Sequence, residues 1–221
     1  MRKKIVKTVA MLSTMFVTST MLSFGSLLVV AQENKAEDRI QCSLENETEI
    51  GEDLVEGSGI IRTLMAYRTH LQNIGWQGYK VNGEISGTTG KCLRMEGIQI
   101  YFDAMISGDK VWSNSSGSIE YRTHVQNEGW QDYVSDGELS GTVGKNLRLE
   151  AIQIRLTGNV LEKYDIYYRT HIQDKGWLGW AVNNQKSGST GLSKQMEAIQ
   201  IRLVEKGEVA PGTTEDAYIR R

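Results

Sequence analysis

Three histidines, three glutamates and three tryptophans fall at fixed intervals in this chain, and these residue types can do acid–base, metal or stacking chemistry. Each His precedes a Trp by six residues and a Glu by 26: His70, Trp76, Glu96; His124, Trp130, Glu150; His171, Trp177, Glu197. Three converging imidazoles would make a zinc site, whereas one His beside one carboxylate makes a hydrogen-bonded pair. The histidines stand 54 and 47 residues apart with no local ligand spacing. That favours a His–Glu pair inside each unit over a shared metal, so no metal is expected. Paired catalytic carboxylates need two environments that drive their pKa values apart, and three copies of one environment do not supply them. Arg94 and Arg148 stand two residues before Glu96 and Glu150 as structural partners, with Gln195 in the third copy. The Ser-Gly-x-x-Gly runs, residues 86–90 and their copies, lack the Gly-Lys-Ser/Thr ending of a phosphate loop and read as turns. No Gly-x-Ser-x-Gly elbow and no recurring Cys/His pair is present. No catalytic residue and no cofactor is expected.

The intervals belong to a larger repeat. Residues 67–102, 121–156 and 168–203 are three 36-residue units without internal gaps, joined by linkers of 18 and 11 residues. Each runs through Tyr-Arg-Thr-His, an apolar residue and Gln, then Gly-Trp and Ser-Gly-x-x-Gly. The unit closes on a Glu-Ala-Ile-Gln-Ile stretch, seen in full at residues 150–154. This order resembles the clostridial hydrophobic W (ChW) repeat, and the resemblance covers 108 of the 221 residues. It implies a protein secreted by a Gram-positive anaerobe that binds extracellular partners or surface polymers, with no enzymatic activity in the repeat itself.

The elements that position these residues read as β-strands. In residues 121–126, Tyr, Thr and Val alternate with Arg, His and Gln, the period of a strand with one buried face. Asn127, Glu128 and Gly129 turn the chain, residues 130–135 make a second strand, and the Gly/Ser/Thr-rich stretch 136–144 makes a long turn. In the third strand Leu147, Leu149, Ile152, Ile154 and Leu156 are spaced two, three, two and two, and the single step of three predicts a β-bulge near Glu150 and Ala151. The linkers offer Val111-Trp112 and Val160-Leu161 as further strand candidates. Three short strands make a poor core alone. The expected fold is therefore all-β, the three repeats closing into one pseudo-threefold domain of the β-prism or β-trefoil kind over residues 60–204. The alternative is an open stack of three units.

Two aromatic positions recur. Trp76, Trp130 and Trp177 are expected to anchor the core, although exposed indoles would also suit sugar or protein contacts. Tyr79, Tyr133 and Trp180 stand three residues later, on the opposite face if the strand is regular, and are the preferred ligand contacts. Arg68, Arg122 and Arg169, with His70, His124 and His171, share the polar face of the first strand and complete the candidate binding set.

The formal charge of −2 is uneven. Residues 1–31 carry Arg2, Lys3, Lys4 and Lys7, then an uncharged run from Val9 to Val30 ending in small residues, which reads as a secretory signal peptide; an uncleaved membrane anchor is the competing reading. Residues 32–59 are acidic and lack aromatics, a flexible leader. From residue 57 onward 19 basic residues face 18 acidic ones, which gives no footprint for nucleic acid or an anionic membrane. Cys42 and Cys92 form a disulfide or remain two thiols. Residues 205–221 read as a loose polar tail. The function expected is a secreted, extracellular or cell-surface binding module for a protein or polysaccharide. The alternatives are a metal- or carboxylate-dependent extracellular hydrolase and a structural surface-layer component.

Overall fold

A computed structural model describes residues 61–113 and 118–221. The expected signal peptide, the acidic leader and Cys42 lie outside the described residues, and Cys92 is exposed. The described chain is all-β, apart from one short 3-10 turn at Gly158–Glu162. That turn takes up Val160 and Leu161, which were expected in a strand. Val111 and Trp112 do lie in one, Lys110–Ser113, hairpinned onto the end of Met95–Ser107.

The frame of each unit is a long antiparallel pair. Ile61–Leu71 pairs with Met95–Ser107, Ile119–Val125 with Leu149–Leu156, and Tyr164–Ile172 with Met196–Glu205. The alternation explains the first strand of each pair. Ile119, Tyr121, Thr123 and Val125 are buried, while Glu120, Arg122 and His124 point the other way. The bulge predicted from the apolar spacing is present in all three units. His70 faces Gly97 and Leu71 faces Met95, so Glu96 is the unpaired extra residue; Glu150 and Glu197 are skipped in the same way. A bulge re-aims one side chain, here the glutamate.

The second strand is broken, contrary to expectation. It consists of two short pieces, Gly129–Trp130 and Val134–Ser135, separated by three residues outside the ladder, and the other units do the same. The Ser-Gly runs are not merely turns. Ser140–Gly141 of the second unit pairs with the third strand of the first. Lys186–Thr190 of the third unit pairs with that of the second, and Ser86–Gly87 of the first unit pairs with that of the third. Each unit thus lends a strand to the preceding sheet, and the first lends to the last, a pairing an open stack cannot make.

Two further features lock this exchange. Gly87, Gly141 and Gly188 have φ of +115°, +118° and +118°, and a Cβ there would lie 2.4, 2.4 and 2.5 Å from the carbonyl oxygens of Glu197, Glu96 and Glu150. Only glycine permits that approach. The fully buried Tyr67, Tyr121 and Tyr168 donate their hydroxyls to the carbonyls of Glu84, Glu138 and Gln185 in their own units. The same hydroxyls accept the backbone N–H of Ile201, Ile100 and Ile154 in the neighbouring units, at 3.1, 3.1 and 3.0 Å. One continuous apolar cluster draws on all three units around these tyrosines.

Residues 206–221 are not a loose tail. They cross the third unit and end in Tyr218–Arg220, which pairs in parallel with Lys186–Thr190.

Candidate functional site

The histidines emerge on the outer face of each first strand, opposite the buried tyrosines. In every unit His Nδ1 lies 3.1 Å from Oε2 of the bulged glutamate: His70–Glu96, His124–Glu150 and His171–Glu197. The approach is close but out of line for a hydrogen bond, so the pair is a polar contact rather than a directed bond. The glutamates are only 4%, 6% and 3% exposed, so each needs a partner. Arg94 and Arg148 supply one at 2.7 Å, and Gln195 Nε2 donates to Glu197 at 3.1 Å. The three histidines do not gather: no group of three or more metal-ligating side chains is present among the described residues.

Next to each His stands the tryptophan, edge to face at 5.5 Å between ring centres in all three units. The register explains this, since His70 pairs with Trp76, His124 with Trp130 and His171 with Trp177 across the ladder. The guanidinium of the arginine two residues before the His then lies over two rings. Arg68 is 4.7 Å from the centres of both Trp76 and Tyr79. Arg122 is 5.1 Å from Trp130 and 4.6 Å from Tyr133, and Arg169 is 4.9 Å from Trp177 and 4.8 Å from Trp180. Each such contact contributes about 0.5–2 kcal/mol, more as water is excluded. Each arginine also donates to a glutamine of its third strand, Gln99, Gln153 or Gln200. Those glutamines in turn donate to the carbonyls of Gly137, Asn184 and Gly83 in the adjoining unit. The polar face is thereby tied to the strand exchange.

Two expectations are corrected here. Trp76, Trp130 and Trp177 are half-buried and absent from the buried core, whose fully buried aromatics are the three tyrosines. Tyr79, Tyr133 and Trp180 are not on the opposite face; they share an arginine with the tryptophans. The break after the Gly-Trp pair removes the strict alternation on which the opposite-face reading depended.

The second aromatics also differ from one another. Tyr79 packs edge to face on Tyr101 at 5.8 Å, and burial first, with Tyr101 beside it second, pushes its phenol pKa well above the ordinary value. Tyr133 lies under Arg155 at 4.0 Å. Trp180 is 5% exposed, and desolvation lowers the pKa of Arg169 beneath it. Trp112, 47% exposed on its hairpin, is more open than any other tryptophan. It was foreseen only as a strand residue, because it lies outside the repeated pattern.

A family model described as Clostridial hydrophobic W matches residues 70–103, 124–158 and 171–205. No curated protein and no solved structure matches the chain.

Proposed function

Starting from a chain that is a protein of three clostridial hydrophobic W repeats, we propose that it acts as an exported, non-enzymatic binding module. Its partner is an extracellular protein or a cell-surface or substrate polysaccharide. One observation carries this reading: each unit keeps a Trp, an Arg and a second aromatic stacked at its outer face while tyrosine meets the needs of the core. Aromatic rings held by an arginine, half-buried here except for the buried Trp180, are rigid and amphipathic, the residue types that dominate recognition surfaces. The non-enzymatic reading is supported by the engagement of each buried carboxylate with a His and an Arg or Gln of its own unit. A structural bracing role accounts for that arrangement. The cyclic loan of strands supports a pseudo-threefold, prism-like closure as the scaffold that presents the faces.

The test is sedimentation of the purified protein with Gram-positive cell walls, insoluble polysaccharides and immobilised culture-supernatant proteins, run beside hydrolysis assays on the same polymers. Saturable binding without product is the expected result. Turnover on any polymer, or no retention above an unrelated β-protein, overturns the reading.

A further inference from the structure

The three aromatic faces are not equally open. Within residues 178–180 the third unit departs from both others at two positions: Leu178 and Trp180 stand where the first has Gln77 and Tyr79 and the second Gln131 and Tyr133, while Gly179 between them matches Gly78 of the first unit and replaces Asp132 of the second. All three residues meet the segment that follows the last repeat. In the first two units the N–H of the exchanged glycine, Gly87 or Gly141, donates to Oε1 of Gln77 or Gln131 at 2.6 and 2.8 Å. Leu178 has no acceptor to offer and lies in the core cluster; the equivalent Gly188 N–H donates instead to the carbonyl of Ala217 at 3.1 Å. Gly179 sits so near the segment that a Cβ would lie 1.8 Å from the carbonyl oxygen of Glu215, whereas one on Gly78 would meet nothing within 4 Å. The Trp180 backbone N–H donates to the Thr213 carbonyl at 2.8 Å, and Gly212 passes over the Trp180 indole. At the far end Tyr218 bonds Thr190, and Lys186 lies over the Tyr218 ring at 5.4 Å. Trp180 is buried as a result, while Tyr79 and Tyr133 remain half-buried.

We propose that residues 208–221 form a strap that shuts the third aromatic face, so that the chain presents two open ligand faces and one closed one. The residues at 178–180 fit the unit to the strap: Leu178 removes the competing acceptor, Gly179 leaves space for the strap's backbone and Trp180 supplies the ring it covers. Strap residues 212–216 are themselves exposed, so the cover is a single layer of chain. The count of sites rests on the aromatic faces being the ligand sites, as argued above. The cover itself does not.

The experiment uses the full chain labelled with 5-fluorotryptophan, each resonance assigned by single Trp→Phe variants. Two strap-releasing variants act from opposite sides: Gly179→Ala, which leaves the strap sequence intact, and Tyr218→Ala combined with Ile219→Ser, which leaves the repeat intact. Relaxation of each resonance by a soluble gadolinium chelate reports exposure. The Trp180 signal should be shielded in the parent chain and relax as strongly as Trp177 in both variants, with Trp76 and Trp130 unchanged. An exposed Trp180 in the parent chain, or a shielded one in both folded variants, overturns the strap. Global loss of dispersion in both variants would make the segment part of the core and overturns it too. The second arm titrates chitohexaose, a β-1,4-linked N-acetylglucosamine oligomer, and then solubilised cell-wall polymer. The expected shifts fall at Trp76 and Trp130 in the parent chain, and also at Trp177 and Trp180 once the strap is released. Shifts at all faces in the parent chain refute the closed site while leaving the binding reading intact. A strap that behaves as expected with no shift from either probe counts against the binding reading alone.

Discussion

At the scale of single residues, the division of labour lies between tyrosine inside and tryptophan outside. Tyr121 is fully buried and its hydroxyl joins two units, accepting from Ile100 and donating to Glu138. Tyr121→Phe strands both backbone groups and should cost about 1–3 kcal/mol. Tyr121→Ala should cost about 3–5 kcal/mol. Trp130→Ala removes a half-buried ring and should cost less than Tyr121→Ala, about 1–3 kcal/mol. Urea unfolding of the three variants checks the order. The same tyrosines set an alkaline limit. Burial pushes the phenols of Tyr67, Tyr121 and Tyr168 well above their ordinary value. The unfolded chain therefore releases these protons first, so their contribution to stability is complete below pH of about 10 and falls as the pH rises above it. Titration of tyrosinate absorbance should show these three, of nine tyrosines in the chain, ionising only with unfolding, and Tyr79, whose phenol is also pushed up, ionising above the ordinary value. A smooth titration of all nine near the ordinary value would contradict the burial.

At the scale of elements, the exchanged strands hold the units together, and their glycines are the points of closest approach. Gly141→Ala combines a φ of +118° with a Cβ 2.4 Å from the Glu96 carbonyl oxygen. It should cost at least about 2 kcal/mol. Gly78→Ala, with open space around it, should stay within about 0.5 kcal/mol of the parent. Thermal unfolding of the pair separates strand exchange from generic loss of glycine. What was legible in the sequence at this scale follows from periodicity. The alternation at 121–125 specifies the first strand, and the step of three at Leu149–Ile152 locates the bulge, because both are patterns of burial along one chain. The loan of Ser140–Gly141 was not legible, since two residues carry no period and their partner lies in another unit. The shared face of Trp130 and Tyr133 was missed for a related reason: counting three residues onward presumes an unbroken strand, and residues 131–133 leave the ladder.

At the scale of the molecule, three copies of one unit make one core because each copy completes its neighbour's sheet. Triplication announced a repetitive all-β fold, and its three sheets pair edges between units instead of leaving them open. The strap was not legible. Polar composition made 205–221 look loose, while its seat depends on Leu178, Gly179 and Trp180, whose fit is apparent only beside the segment that covers them. The recognition by aromatic faces proposed above is tested most directly by the affinity of a Tyr79→Ala, Tyr133→Ala double variant. Measured on the cell-wall, polysaccharide or protein ligand that retains the parent chain, affinity should fall at least tenfold, about 1.4 kcal/mol, while the folded dispersion of the core is kept. Undiminished affinity in the folded double variant would contradict the account.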